Sequence, residues 1–169
     1  MASSVVRVSI GEDVPVTSFN ELWSALKYFA TDAELRDLRE ASRDKRPSKW
    51  AALMKRTDPN PATQENEALH EYARRMRVAN DRYREDARPA WDTDRGAVLV
   101  ALGEPDVISN PAPVDSTSPT RVQTWEYRRH HLVLVFYDQG GLGKWRLTTY
   151  SETDLKSLLS IAGPCVGCY

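Results

Sequence analysis

The feature that most constrains this chain is a change of period partway along it. Through the first half, apolar residues recur at steps of three and four. Leu69, Tyr72, Met76, Ala79 and Tyr83 form such a stripe, which is one face of an amphipathic helix. Beyond residue 96 the apolar residues come in short runs and alternations, closed by glycine, proline or hydroxyl residues. Helices followed by strands, with no regular alternation of the two, predict an α+β fold in which helices pack on an antiparallel sheet.

Local signals place the elements. Residues 5–10 read as a short strand. Ser18-Phe19-Asn20-Glu21 and Thr31-Asp32-Ala33-Glu34 are both capping boxes, in which the hydroxyl caps the backbone and the glutamate reaches back to it. The first precedes Leu22, Trp23, Leu26 and Phe29 at helical spacing; the second opens a helix with Leu35 and Leu38 inward. A third helix starts near Pro47-Ser48 and carries Trp50, Leu53 and Met54, followed by a loop over residues 55–63 with Pro59 and Pro61. The longest helix is expected over residues 62–84. Its charges, including Glu65, Glu67, Glu71, Arg74, Arg75, Arg77, Arg82 and Arg84, read as a solvated face.

Residues 97–102 are expected to form the first main strand, with 107–108 a short extension. Residues 122–128, 132–137 and 144–150 supply three more, the last two joined through Gly140, Gly141 and Gly143. Residues 110–120, with three prolines, read as an exposed loop. Ser151-Glu152-Thr153-Asp154 is expected to cap a last short helix with Leu155, Leu158 and Leu159. The chain thus divides into a strand or arm over 1–16, a helical part over 17–88, a four-stranded antiparallel sheet over 91–150, and a helix with a cysteine-containing tail over 151–169, all in one domain.

Composition narrows the function classes. Lys and Arg number 23 against 24 Asp and Glu, a net charge of -1, so the field expected of a nucleic-acid binder is missing. No window has the length of apolar residues that a membrane span needs. The start carries no basic and apolar leader, which points to the cytoplasm or to a sequence beginning after a removed leader. Cys165 and Cys168 have no second pair for a zinc site and read as a frayed tail, free or locally bridged.

Three constellations invite chemistry. Asp92 and Asp94 flank Thr93 in a turn, a spacing that could begin a Mg²⁺ or Ca²⁺ site, with Asp106 and either His130 or His131 converging on it. Calcium-loop ligands are missing behind them, however, so the expected role is folding the turn while Arg95 forms an ion pair. His130 and His131, if on a strand, point to opposite faces, and His70 lies on a helix among charges. The glycine-rich stretch at 140–143 leads into a strand and offers no helix N-terminus to a phosphate. No catalytic set and no cofactor are expected.

One succession of motifs is specific. Arg56-Thr57-Asp58-Pro59-Asn60-Pro61-Ala62-Thr63-Gln64-Glu65-Asn66-Glu67 is followed by Arg77-Val78-Ala79-Asn80-Asp81-Arg82-Tyr83. Trp91-Asp92-Thr93-Asp94-Arg95-Gly96, Leu102-Gly103-Glu104-Pro105-Asp106 and Thr124-Trp125-Glu126-Tyr127 complete it. This order resembles the GWxTD domain family of bacterial proteins, with Ala90 where the family's glycine stands. The resemblance implies a fold and an exported or envelope location, with no defined reaction. Trp91, Asp94, Arg95, Trp125 and Tyr127 are the residues expected to serve structure or partner binding. Trp91 is expected to be buried where the long helix meets the sheet. The function expected is a non-catalytic protein-interaction or structural module within a larger assembly; the alternative is a metal-dependent enzyme or binder using the Asp92/Asp94 turn.

Overall fold

The computed structural model describes residues 19–86, 88–112 and 119–168. The strand expected over 5–10, the Ser18 cap and the centre of the proline-rich loop lie outside them. The fold is α+β: helices gather in the N-terminal half and an antiparallel sheet in the C-terminal half.

The helices are α1 (Phe19–Leu26), α2 (Asp32–Glu40), α3 (Arg46–Thr57), α4 (Glu67–Tyr83), α5 (Asp94–Leu102) and α6 (Thr149–Ala162). The expected capping box opens α2: Thr31 Oγ1 accepts from Glu34 N, and Glu34 Oε2 accepts from Thr31 N at 3.0 Å. The long helix α4 starts five residues later than the expected 62, because Asn66 caps it. Its Oδ1 accepts from Leu69 N at 2.9 Å, while its Nδ2 donates to Met54 O and Thr57 Oγ1 at the end of α3. One asparagine therefore fixes both sides of the 58–66 loop. The α4 stripe is as expected, with Tyr72, Met76 and Ala79 fully buried. Tyr72 sets the helix against α1, its ring 5.1 Å from Phe29 and its hydroxyl donating to Ala25 O.

Residues 97–102, expected to be a strand, form α5. The Thr93 hydroxyl accepts from Gly96 N at 3.2 Å and caps this helix, and Asp94 lies in its first turn, where a carboxylate favours the helix dipole. Val98, Leu99, Val100, Ala101 and Leu102 are all buried. A helix enclosed on every side shows no stripe, so its apolar run is indistinguishable by period from a buried strand.

The sheet has four strands, but 107–109 takes the place expected of 97–102. Its order is β1 (Val107–Ser109), β2 (Arg121–Tyr127), β3 (Leu132–Asp138) and β4 (Arg146–Leu147), each pair antiparallel. Ile108 pairs with Trp125, Trp125 with Leu134, and Phe136 with Leu147. Trp125, Tyr127, Leu132, Leu134 and Phe136 point inward, and the Trp125 ring lies 4.9 Å from Phe136 and 5.1 Å from Tyr83 of α4. The last strand, expected to reach Tyr150, stops at Leu147. Thr148, and not Ser151, caps α6. The Ser151 hydroxyl instead accepts from Val135 N at 2.9 Å, while Thr148 N donates to Val135 O, so the helix entry continues the edge that β4 began.

The C-terminal tail is packed, contrary to the expectation of fraying. Cys165 and Cys168 are buried and disulfide-bonded, and Cys165 N donates to Tyr28 O at 2.6 Å. Arg75 of α4 holds the turn. It belongs to the core and not to a solvated face, at 4% exposure. Its guanidinium donates to Val166 O and Gly167 O at 2.9 Å each, and Nε donates to Glu71. Gly103, at φ +85°, lies so close that a Cβ there would sit 3.2 Å from the guanidinium carbon.

Glu71 thus serves two guanidinium groups. Hydrogen bonds from Arg74 first, and then from Arg75, hold its carboxyl below the usual range despite partial burial. Burial pushes the Glu34 carboxyl up, but hydrogen bonds from Thr31 and the charge of Arg56 outweigh it and leave it lowered. A lowered folded-state pKa stabilises above the unfolded value and loses that contribution as pH falls through the folded one. Thermal unfolding should therefore be nearly constant from neutrality down to about pH 5 and fall steeply below about pH 4. Glu71→Gln should shallow that fall, as circular dichroism melts across pH would register.

Candidate functional site

The sequence directs attention to the turn that leads into α5, and the structure makes that turn the hub of the helical layer. A single 3-10 turn over Ala90–Asp92 touches α1, α4 and α5. Trp91 within it is 5% exposed. Its burial is as expected, but its place is among helices, and its indole Nε1 is buried without an acceptor. Ala90 N donates to Asn80 Oδ1 at 2.9 Å, which ties the turn to α4. Thr93 Oγ1 also reaches Tyr83 O at 3.0 Å and Ala90 O at 2.8 Å. Gly96 allows α5 to approach: a Cβ there would lie 2.0 Å from Ala90 O.

The two carboxylates of the turn face different partners. Asp92 accepts from Ser24 Oγ at 2.9 Å and Lys27 Nζ at 3.2 Å, both on or next to α1. Asp94 Oδ2 accepts from Leu147 N at 2.7 Å, reaching across 53 residues to β4. Asp106 accepts from Arg128 N at 2.7 Å and joins the start of β1 to the end of β2. The structure therefore does not gather Asp92, Asp94 and Asp106 about a common point. His130 lies in a 3-10 turn over Arg128–His130 and His131 follows at φ +49°, so neither is on a strand. Among the described residues, no group of three or more His, Cys, Asp or Glu could hold a metal ion.

Arg95 differs from expectation. Instead of pairing with a carboxylate, its guanidinium lies over two rings, 5.0 Å from the Tyr83 centroid and 4.6 Å from that of Trp145. Burial lowers its pKa, partly offset by the charge of Glu85. Stacking of this kind suits the weakly hydrated guanidinium. Trp125 and Tyr127 are both buried; Trp125 Nε1 donates to Gln123 Oε1 at 2.8 Å, and the Tyr127 hydroxyl donates to Gly103 O at 3.0 Å. Burial raises the Tyr127 pKa. Of the residues expected to serve structure or a partner, Trp91, Trp125 and Tyr127 are thus occupied inside the domain.

Two buried acids escaped the sequence reading. Glu85 accepts from Trp145 N at 3.0 Å and from Arg88 and Arg146 at 3.4 Å each. Asp138 accepts from Arg121, from Leu142 N at 3.2 Å and from Gly143 N at 2.7 Å, which shapes the glycine-rich hairpin. Neither has a local signal: each lies next to polar or charged neighbours in sequence and looks solvated. With Asp94 and Arg95, Glu85 fastens the β3–β4 hairpin to the helices, while Asp138 braces the hairpin from within the sheet.

Truncating Trp91 should therefore cost fold stability. We expect Trp91→Ala to lower it by about 3–5 kcal/mol, the cost of emptying a large aromatic site. Trp91→Phe should recover much of that loss, because the indole N–H makes no hydrogen bond to forfeit. Chemical denaturation of the three proteins measures both.

The turn over residues 90–96 thus ties α1, α4, α5 and β4 together. No curated protein and no solved structure matches the chain. The family model described as GWxTD domain matches residues 4–138 of the 169, and with Trp91 buried among the helices, Thr93 capping α5 and Asp94 reaching β4, the chain belongs to the GWxTD domain family.

Proposed function

We propose that this domain is a non-catalytic protein-interaction or structural module that works as a subunit of a larger assembly. The observation that carries the reading is the outward side of β3. Exposure alternates along the strand, with Leu132, Leu134 and Phe136 inside and Val133, Val135 and Tyr137 outside. Val133 is 51% exposed. On β2 the residues paired with these three are Glu126, Thr124 and Val122, and on β1 Val107 pairs with Glu126. An outward sheet face is ordinarily polar; this one is largely β-branched and aromatic, with a single carboxylate and, at the β4 edge, Arg146 opposite Tyr137. Such a surface suits a protein partner with a matching apolar patch.

The reading is also supported by the use made of the acids. Glu85, Asp94, Asp106 and Asp138 all accept from backbone amides, so each works in holding the chain. The buried Cys165–Cys168 disulfide accords with an oxidising compartment, where such bonds persist; this favours the envelope location that the resemblance implies.

The test is purification of the native protein from its own cells, beside Val133→Arg. We expect the wild type to elute in a complex of defined stoichiometry. The variant should lose that partner while its melting temperature stays within about 2 °C, as a surface substitution allows. A wild type that elutes as a monomer, or a variant that keeps the same partner, would count against the module.

A further inference from the structure

Residues 163–168, which follow α6, belong to no helix or strand, yet Cys165, Val166 and Cys168 are buried. A few bonds seat them. Cys165 N donates to Tyr28 O at 2.6 Å, and Cys168 N closes the turn on Cys165 O at 3.1 Å. The buried guanidinium of Arg75 donates to Val166 O and Gly167 O at 2.9 Å each. Both of those carbonyls lie inside the ring that the Cys165–Cys168 disulfide closes.

The backbone of this ring is one that an open peptide does not hold. Cys165 has φ +53° and Gly167 φ +70°, both in the left-handed region that side chains disfavour. Glycine adopts it freely; a cysteine stays there when its surroundings fix it. The disulfide, spanning residues 165–168, fixes this turn from within. A ring so small takes less entropy from the unfolded chain than a long loop would, so the bond governs the turn more than it governs global stability. Detachment of the turn also does not strand Arg75. Its Nε keeps Glu71 at 2.9 Å, and water replaces the two carbonyls.

We propose that the Cys165–Cys168 pair is a redox-sensitive latch: as a disulfide it seats the turn against α4 and Tyr28, and as a dithiol it lets the turn detach and uncovers the Arg75 guanidinium. The reaction is thiol–disulfide exchange. A dithiol reductant supplies two electrons and two protons, and its own sulfurs join as a disulfide. The Cys165–Cys168 bond breaks and two thiols remain. An oxidising disulfide runs the exchange backward. Because both cysteines are buried, attack follows local opening of the turn. An oxidising compartment holds the latch shut; a reducing one opens it. The latch is separate from the outward face of β3 and does not rest on the reading of that face.

Dithiothreitol applied to the folded full chain tests the proposal, with thiol titration following the bond and amide hydrogen exchange following the turn. Reduction should release the thiols of both cysteines. Exchange at Cys165 and Cys168 should speed up at least about tenfold, while the amides of α3 and β3 change by less than about twofold, as local opening requires. Oxidised glutathione should restore the protection. Cys165→Ser paired with Cys168→Ser should match the reduced chain and respond to neither reagent. The proposal is overturned if the reduced chain keeps its protection at Cys165 and Cys168, if all amides lose protection together, or if no thiol appears while the chain stays folded.

Discussion

The carboxylate of Asp94 is the point on which the two halves of this domain depend. It sits in the first turn of α5, where the helix dipole favours it, and it accepts from Leu147 N on β4. Glu85, just beyond α4, does the same for Trp145 N. The strand β4 is only two residues long, too short to be held by its pairing with β3 alone. Two backbone donors, one buried and one part-buried, matched by two acids from the helical half, make up for that. Thr148 and Ser151 then continue the β3 edge into α6, whose end carries the disulfide turn back to Arg75 and Tyr28.

The motif turn makes this possible through close packing. Thr93 caps α5, Gly96 admits the Ala90 carbonyl, and Trp91 fills the space between α1, α4 and α5. Ala90 departs from the family's glycine, and the structure accounts for its acceptance. Among described non-glycine residues, positive φ occurs at Asp86, His131 and Cys165, not at Ala90, so this position makes no demand that only glycine meets. The steric demand falls on Gly96.

Much of this was readable in the residues, and the failures have physical causes. The α2 capping box, the α4 stripe and the strands expected over 122–128 and 132–137 rest on local chemistry and periodicity, and they stand in the structure. Residues 97–102 misled because complete burial removes the polar side of a helix; the informative signal was Thr93, whose hydroxyl three residues before Gly96 marks an N-cap. Arg75 looked solvated because sequence shows its charged neighbours and not the Val166 and Gly167 carbonyls it meets from 91 and 92 residues away. Glu85 and Asp138 were missed for the same reason. Their partners are backbone amides brought by tertiary structure, which no spacing records. The Asp92, Asp94 and Asp106 grouping failed because adjacency in sequence says nothing about the three different segments that claim them.

The central claim is that Asp94 joins the sheet to the helices and so gives the motif its architectural role. Native-state hydrogen exchange on Asp94→Ala, at the amides of Trp145, Leu147 and Ser151, tests it most directly. The account predicts that these amides exchange by local opening, losing protection well beyond the change in global stability, while the amides of α3 and the first half of α4 follow the global value. If Leu147 and its neighbours still exchange only through global unfolding, Asp94 does not hold the two halves together and the account is wrong.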